Sequence, residues 1–409
     1  MKQIKSIKQI APYFVDLYGK RNFKQYLRYQ TLYKNFKKAF NKESAYFCSS
    51  SGRVELVGNH TDHNGGKVLA CAVSLDVICA FLPCDDNKVV LRSSRTRVLS
   101  VDLDKIDKID SGSIGLVKGV AKYFLDNGAK VGGFVGYTNS TIPTGAGLSS
   151  SASFELLVAQ IFNHLYNDGK LSPEFLAKAG QYAENKYFGK ASGLMDQSAV
   201  AVGGVVLFDF SNGFSYLKQE NTLQQLDLEM VVVNTGGSHA QLNEHYSAIP
   251  SEMKAVANLL GADQLCELSL ERIEENKEEI QKKLGSRPYL RAVHFFEENQ
   301  RVERACLSLQ NKDRSEFCQQ LRQSGQSSIE KLQNCTLPNQ TEQPIKEAVN
   351  FALSICPTSG SRVNGGGFAG TTINVVPSEQ AQQFIDAMRK AYPKNVHVLK
   401  VRTLGTIVF

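Results

Sequence analysis

The stretch TIPTGAGLSSSAS, residues 141–153, carries more structural information than any other part of this chain. Gly145 and Gly147 permit a tight turn, and the serines that follow lead into a run whose apolar residues fall at helical spacing. Free N–H groups and the positive end of the helix dipole would point at an anion bound there. The pattern predicts a phosphate-binding loop, with a serine-capped helix after a flexible turn as the alternative.

Length and composition are typical of a globular protein with two domains. The chain has 409 residues, of which 42% are apolar, and this length exceeds a single typical core. It contains no apolar run long enough for a membrane helix, and the first twenty residues lack the apolar core of a signal peptide. The nine scattered cysteines form no Cys-x-x-Cys pair, which argues against disulfides and structural zinc. We therefore expect a cytoplasmic protein with no membrane partner.

The net charge of +7 is concentrated at one end of the chain. Residues 1–42 hold eleven Lys or Arg and one acid, a local charge of +10. Aromatic rings interleave with these cations, at Tyr13, Tyr18, Tyr26, Tyr29 and Tyr33. Such a segment can bind nucleic acid by phosphate contacts and stacking, or it can pack its rings against the rest of the protein. We favour packing, and we expect no nucleic-acid partner.

Periodicity along the chain predicts a mixture of strands and helices. Strands are expected at 68–82, 89–102, 131–138, 204–210, 228–234, 371–376 and 396–409. Helices are expected at 113–125, 152–162, 174–188 and 378–392. We divide the chain into a basic helical segment at residues 1–45, an N-terminal domain at 46–210 and a C-terminal domain at 211–409.

A second segment, GRVELVGNHTDHNGG at residues 52–66, holds polar groups on a constrained turn. Arg53 supplies a permanent cation whose fork suits phosphate or carboxylate. His60 and Asp62 can hold sugar hydroxyls. Together with His63 they could instead bind a metal, although two histidines and a carboxylate on a loop are weak support for that.

Two glycine-containing segments complete the set. In SGLMDQ, residues 192–197, Asp196 follows Glu184 by twelve residues, and the two acids suit general-base or magnesium chemistry, with a helix cap as the alternative for Asp196. In SGSRVNGGGFAG, residues 359–370, the glycines fit a dinucleotide fingerprint, but a strand follows where a helix should begin. We expect those glycines to permit close approach of the backbone to a ligand or to the serine loop. The sequence contains no Walker-type loop.

Together, the four segments resemble the GHMP kinases, and within them the galactokinases. The resemblance covers about residues 45–409. It implies an α+β, two-domain GHMP kinase fold, with an N-terminal domain like ribosomal protein S5 and a ferredoxin-like C-terminal domain. It also implies an enzyme that uses ATP and Mg²⁺ to phosphorylate a monosaccharide, with galactose expected, at its anomeric hydroxyl. Its partners would be the sugar and ATP.

The resemblance also implies roles for individual residues. Asp196 would be the catalytic base, with Arg53 beside it. The expected sugar contacts are Arg53, Asn59, His60, Asp62, Gly193, Asp196 and Tyr246. The expected ATP contacts are Pro143, Thr144, Gly145, Ala146, Gly147, Leu148, Ser149, Ser150, Ser151 and Ser153. Ser150 and Glu184 would lie near the metal, and Gly365, Gly366 and Gly367 would support the phosphate site.

The chain departs from the galactokinase pattern in the sugar-binding turn. Galactokinases usually read Gly-Glu-His-Thr-Asp-Tyr where this chain has Asn59 and His63, and Glu55 stands where Asn is common. A neutral Asn59 offers both a donor and an acceptor, so galacturonate or another C6-modified sugar is an alternative substrate. A basic His63 facing the pocket would favour the same alternative. A non-catalytic sugar sensor on this fold is a further hypothesis.

Overall fold

A computed structural model describes residues 3–19, 22–94, 97–143, 147–189, 192–236, 242–337, 342–368 and 370–409. Thr144, Gly145 and Ala146, which we expected to contact ATP, lie outside these ranges. Within the described ranges, the strands form one sheet of eight and a second sheet of four.

The larger sheet is built around two long strands that lie next to each other in the sequence. Its members are β1 (Tyr46–Val57), β2 (Lys67–Pro83), β3 (Lys88–Ser93), β4 (Leu99–Asp102), β5 (Phe134–Ser140), β6 (Val205–Asp209), β7 (Ser215–Lys218) and β12 (Ile407–Val408). The main order is β12-β1-β2-β5-β3-β4, with β6 and β7 extending from β2. The pairs are antiparallel except β3 with β5. Strands β1 and β2 are buried along most of their length. This explains the long apolar run of β2, whereas β1 also buries polar side chains such as those of Ser49, Arg53 and Glu55.

The second sheet comes from the C-terminal half of the chain. Its antiparallel order is β11-β8-β10-β9, with members β8 (Leu228–Gly236), β9 (Gly360–Asn364), β10 (Gly370–Pro377) and β11 (Val396–Leu399). The glycine-rich segment contains the whole of β9 and the connection to β10. The α+β fold class is as expected. The predicted boundary at residue 210 divides the large sheet, because β7 and β12 follow it in sequence.

Helices cover these sheets and supply much of the core. In the first half they are α3 (Gly112–Asp126), α4 (Ser150–Tyr166), α5 (Pro173–Lys186) and α6 (Met195–Val202). In the second half they are α7 (Asn243–Leu259), α8 (Leu270–Glu275), α9 (Lys277–Leu284), α10 (Ser286–Gln310), α11 (Arg314–Ser327), α12 (Pro344–Ile355) and α13 (Ser378–Ala391). Helix α4 packs its apolar side chains on β1 and β2. This packing fixes the direction in which its N-terminus points.

The basic N-terminal segment packs against the large sheet. Its helices are α1 (Phe14–Tyr18) and α2 (Phe23–Phe40). Tyr29 and Phe36 are fully buried in an apolar cluster with Phe47 of β1. Arg28 forms an ion pair with buried Asp76 on β2, with 2.5 Å between Nη1 and Oδ1. Of the five predicted rings, Tyr18, Tyr29 and Tyr33 are buried as expected, whereas Tyr13 is 41% exposed. The cations lie on a segment that belongs to the folded body.

Across the described ranges, no helix combines the length and the apolar character that crossing a bilayer requires.

Candidate active site

The four segments singled out in the sequence meet around one cavity of about 530 Å³. The turn after β1 contributes His60 and Asp62, and β1 itself contributes Arg53. Gly147 to Ser151, with Pro143, lie on the serine-loop side, and Glu184, Gly193 and Asp196 come from α5, the loop after it and α6. Gly365, Gly366 and Gly367 close another side with Tyr246. Ser153 does not line the cavity. It is buried, and its hydroxyl donates to the Ser51 carbonyl.

Arg53 and Asp196 form a two-pronged ion pair in the lining of the cavity. Arg53 Nε and Nη2 donate to the two carboxylate oxygens of Asp196, each at 2.7 Å. The remaining nitrogen, Nη1, donates to the Gly147 carbonyl at 2.6 Å. Burial opposes the charge of Arg53, but Asp196 and other nearby carboxylates hold its pKa above the usual value. One guanidinium thus joins the carboxylate on α6 to the serine loop, and it remains a cation.

The serine loop delivers free N–H groups to the same place. Ser149 directly precedes α4 and has a left-handed backbone, with φ of 53°. Its hydroxyl donates to Asp196 rather than capping the helix, so the simple serine-cap alternative does not describe it. No side chain among the described residues caps the first turn of α4, so its N–H groups are available to an anion.

Gly147 holds the loop against the second sheet. A Cβ at this position would lie 2.2 Å from Thr371 Oγ1 on β10, so only glycine fits. Its carbonyl accepts hydrogen bonds from Arg53 and from Asn364 Nδ2, the latter at 3.0 Å. The glycine-rich segment therefore supports the phosphate loop by close backbone approach, as its position in the sequence suggested.

Asp62 is a partly buried carboxylate that lines the cavity near Asp196. Its Oδ2 accepts a hydrogen bond from the Met195 amide at 3.1 Å. A Cβ on Gly193 would lie 1.8 Å from that oxygen, which explains the glycine. Burial raises the pKa of Asp62 to about 6, and the charges of Asp196 and Glu55 add to the shift. Asp62 therefore gains a proton at a higher pH than an exposed aspartate does.

His60 and His63 contact each other, with 3.3 Å between Nδ1 of His60 and Nε2 of His63. His60 Nε2 lies 3.0 Å from the Gly366 carbonyl, which can only accept, so the proton of His60 is assigned to Nε2. Desolvation lowers the pKa of His60 to about 4 and that of His63 well below its usual value. Both rings are therefore neutral near pH 7. His63 does not supply the positive charge that the sequence analysis considered for an anionic sugar.

Asn59 is fully buried, and its side-chain amide is engaged within the protein. Nδ2 donates to Glu55 Oε1 at 2.9 Å and to the Gly365 carbonyl at 2.8 Å, while Oδ1 accepts from Asn334 Nδ2 at 2.8 Å. Both donors and the acceptor that the sequence analysis offered to a sugar hydroxyl are thus occupied. Two of the three departures from the family pattern, Glu55 and Asn59, therefore contact each other.

Several residues that hold the sugar-binding turn were missed by sequence reasoning. Glu298 on α10 accepts from the amides of Gly58 and Asn59, at 2.9 and 3.2 Å, and pairs with Arg301. His294 Nε2 lies 2.9 Å from the Asn59 carbonyl. These residues follow the turn by more than 230 positions. They lie in a charged helical stretch whose composition is typical of a solvent-exposed helix.

The residues near Glu184 fit a magnesium ion. Its two oxygens accept from Ser151 Oγ at 2.9 Å and from Gln197 Nε2 at 3.1 Å. The hydroxyl on Glu184 is thus that of Ser151, while Ser150, the predicted partner, starts α4 and lines the cavity. In the part of the chain that the structure describes, no three His, Cys, Asp or Glu side chains form a metal-holding group. Mg²⁺ needs no such group when phosphate oxygens complete its shell.

Comparisons with known proteins agree with this geometry. Residues 34–83 match the galactokinase galactose-binding signature, and residues 115–204 match the GHMP kinases N terminal domain. The galactokinase of Clostridium tetani is 34% identical over 89% of this chain and 92% of its own length. That of Lacticaseibacillus paracasei strain ATCC 334 is 33% identical over 89% of this chain and 93% of its own.

Solved structures show the same fold. Lactococcus lactis galactokinase complexed with galactose matches with a TM-score of 0.81 and 26% identity, over 93% of this chain and 99% of its own. Methanococcus jannaschii mevalonate kinase, 17% identical, matches with a TM-score of 0.62 over 88% of this chain and 99% of its own. The chain has the GHMP kinase fold, belongs to the galactokinase family and is an ATP-dependent sugar kinase.

Proposed function

We propose that this protein transfers the γ-phosphoryl group of ATP to the anomeric hydroxyl of galactose, which yields galactose 1-phosphate and ADP. The observation that carries the proposal is the Arg53–Asp196 pair, which lies beside the N-terminus of α4 within one cavity. Phosphoryl transfer requires mainly positioning and charge stabilisation. The site supplies positioning and charge stabilisation, because a carboxylate, a fixed guanidinium and a helix N-terminus lie together in it.

Asp196 is the acceptor for the proton of the reacting hydroxyl. The bond from the sugar O1 to the γ-phosphorus forms while the bond from that phosphorus to the β,γ-bridging oxygen breaks. The O1 proton passes to the Asp196 carboxylate, and ADP leaves. The two donor contacts of Arg53 fix the orientation of that carboxylate, which lines the cavity in which the sugar would bind.

The phosphates lie on the serine-loop side. The N–H groups of the first turn of α4 face them, and Arg53 adds a positive charge that offsets the charge of the transferred group. Glu184, with serine hydroxyls of the loop, would hold Mg²⁺, which neutralises phosphate charge when it is bound. The predicted ATP contacts at residues 144–146 remain part of this proposal.

The charges around the cavity favour a neutral sugar over galacturonate. Glu55, Asp62 and Asp196 all line it. The two nearby guanidiniums, on Arg53 and Arg362, already pair with Asp196 and Glu55. A sugar carboxylate would therefore meet like charge without a free cation among the described lining residues, at a cost of several kcal/mol in a desolvated site. The sensor hypothesis finds no support in a site that contains the Arg53–Asp196 pair together with Ser149, Ser150 and Ser151.

The test is a coupled ADP-release assay with galactose, galacturonate, glucose and other free sugars. We expect ADP release that depends on galactose. Asp196→Asn should retain the fold and ATP binding but lose turnover by about 10²- to 10⁴-fold, the range for loss of a general base. Asp168→Asn is the control, because that carboxylate is 81% exposed and lies outside the cavity. Near-normal turnover by Asp196→Asn would refute its role, and saturable galactose binding without turnover by the unaltered protein would favour the sensor.

A further inference from the structure

Glu55 is a buried acid on the wall of the cavity, and the proposed reaction leaves it without a role. It lies two residues after Arg53 on β1, and residues at that spacing share one face of a strand. Arg53 faces the cavity, and Glu55 lines it as well. Only 2% of Glu55 is exposed.

The two oxygens of this carboxylate have different surroundings. Oε1 accepts hydrogen bonds from Arg362 Nη2 at 2.6 Å and from Asn59 Nδ2 at 2.9 Å. Oε2 accepts none from the residues that the structure describes, yet it is not among the enclosed side-chain atoms that lack a hydrogen-bond partner, so it retains some accessible surface. Arg362 and Asn59 thus fix the group by one oxygen and leave the other open to the cavity.

Glu298 shows what a purely structural buried acid looks like in this protein. Its Oε1 accepts from two backbone amides and from Ser324, and its Oε2 accepts from Arg301. It does not line the cavity. A buried carboxylate with an oxygen left unsatisfied loses free energy, so the open oxygen of Glu55 calls for a ligand donor that Glu298 does not need.

We propose that Glu55 Oε2 accepts a hydrogen bond from a hydroxyl of the bound sugar, which makes Glu55 a specificity-determining residue. Arg362 and Asn59 act as positioning residues that hold the carboxylate. The ligand must present a donor at this point, so the site selects a neutral polyhydroxy sugar and rejects one with a carboxylate or no hydroxyl there. The inference rests on the proposed function and adds to it that Glu55 recognises one hydroxyl of the sugar.

The test combines Glu55→Gln with the 2-, 3-, 4- and 6-deoxy forms of galactose. Glutamine keeps an oxygen for Arg362 but removes the charge. We expect Glu55→Gln to lower kcat/KM for galactose by about 10- to 100-fold, in line with a hydrogen bond to a charged group, and to leave the KM for ATP unchanged. One deoxy sugar should be a poor substrate for the unaltered protein, because it lacks the hydroxyl that Glu55 binds. For that sugar, and for no other, Glu55→Gln should lower kcat/KM little further.

Glu298→Gln is the matched control. It should lower thermal stability and affect galactose and all four deoxy sugars by the same factor. An equal effect of Glu55→Gln on all five sugars, or no effect on galactose, would overturn the proposal.

If Glu55→Gln does not fold, Glu55→Asp keeps the charge opposite Arg362 and withdraws the carboxylate by one methylene. It should show the same selective pattern across the deoxy series. Failure of both variants to fold would assign Glu55 to the scaffold and also overturn the proposal. Absence of galactose turnover by the unaltered protein would instead refute the proposed function, so the two failures are distinguishable.

Discussion

Asp76→Asn should destabilise the protein by removing the charge that anchors its basic N-terminal segment. Asp76 is fully buried. Its carboxylate accepts hydrogen bonds from Arg28 Nη1 at 2.5 Å and from Tyr18 and Ser49 hydroxyls at 2.7 Å. Buried Arg402 lies 3.7 Å away. Burial opposes ionisation, but Arg28 and Arg402 hold the pKa of Asp76 below its usual value.

The magnitude follows from these contacts. Removing one partner of a buried ion pair costs about 3–5 kcal/mol, because the other charge is left uncompensated. An unfolding entropy of about 2.1 cal/mol/K per residue gives about 0.9 kcal/mol/K for the whole chain. The expected fall in Tm is therefore about 3–6 °C.

The assay is thermal unfolding of the unaltered protein, Asp76→Asn and the control Asp168→Asn. Asp168 pairs with Lys170 at the surface, where both side chains are about four-fifths exposed, so its loss should change Tm by less than about 1 °C. The folded pKa of Asp76 lies below the unfolded one, so its stabilisation is complete above the unfolded value and is lost as the pH falls through the folded value. The difference in Tm between the unaltered protein and Asp76→Asn should therefore shrink in acid. Equal Tm values for Asp76→Asn and Asp168→Asn near neutral pH would refute the reasoning.

Three further predictions concern the sugar site and the N-terminal segment. As the pH falls through about 6, Asp62 gains a proton and becomes a weaker hydrogen-bond acceptor, so the KM for galactose should rise. If Asp62→Asn and the unaltered protein had the same pH profile of kcat/KM, this prediction would be contradicted. Gly193→Ala should raise the KM for galactose but leave the KM for ATP nearly unchanged, because its Cβ would displace the Asp62 carboxylate; unchanged galactose kinetics would argue against that contact. Deletion of residues 1–42 should lower Tm and solubility, since it exposes Phe47 and the apolar cluster around it; retention of the full-length Tm would show that the packing contributes little.

The parts of the site that could be predicted from the sequence are those carried by short local motifs. Arg53, Asp62 and Asp196 each stand in a segment whose glycines and turns indicate a constrained backbone. The structure places all three on one cavity. The helix after the serine loop begins at Ser150, two residues before the predicted start, because the serines themselves form its first turn.

The remaining parts depend on contacts between residues far apart in the chain. Glu298 reaches the sugar-binding turn across 240 positions, and no local pattern separates it from the exposed acids of a charged helix. The residue type at Asn59 suggested an amide free to bind a sugar hydroxyl, and that at His63 suggested a positive charge. Burial and their immediate neighbours determine instead that the amide of Asn59 is occupied and that His63 is neutral.

The most direct measurement is an NMR analysis of the product formed from galactose and ATP by the purified protein. We predict a phosphate ester on O1, seen as a phosphorus signal coupled to the anomeric proton, in amounts equal to the ADP released and lost with Asp196→Asn. Phosphate attached at another sugar position, or ADP and inorganic phosphate without a sugar ester, would contradict the account.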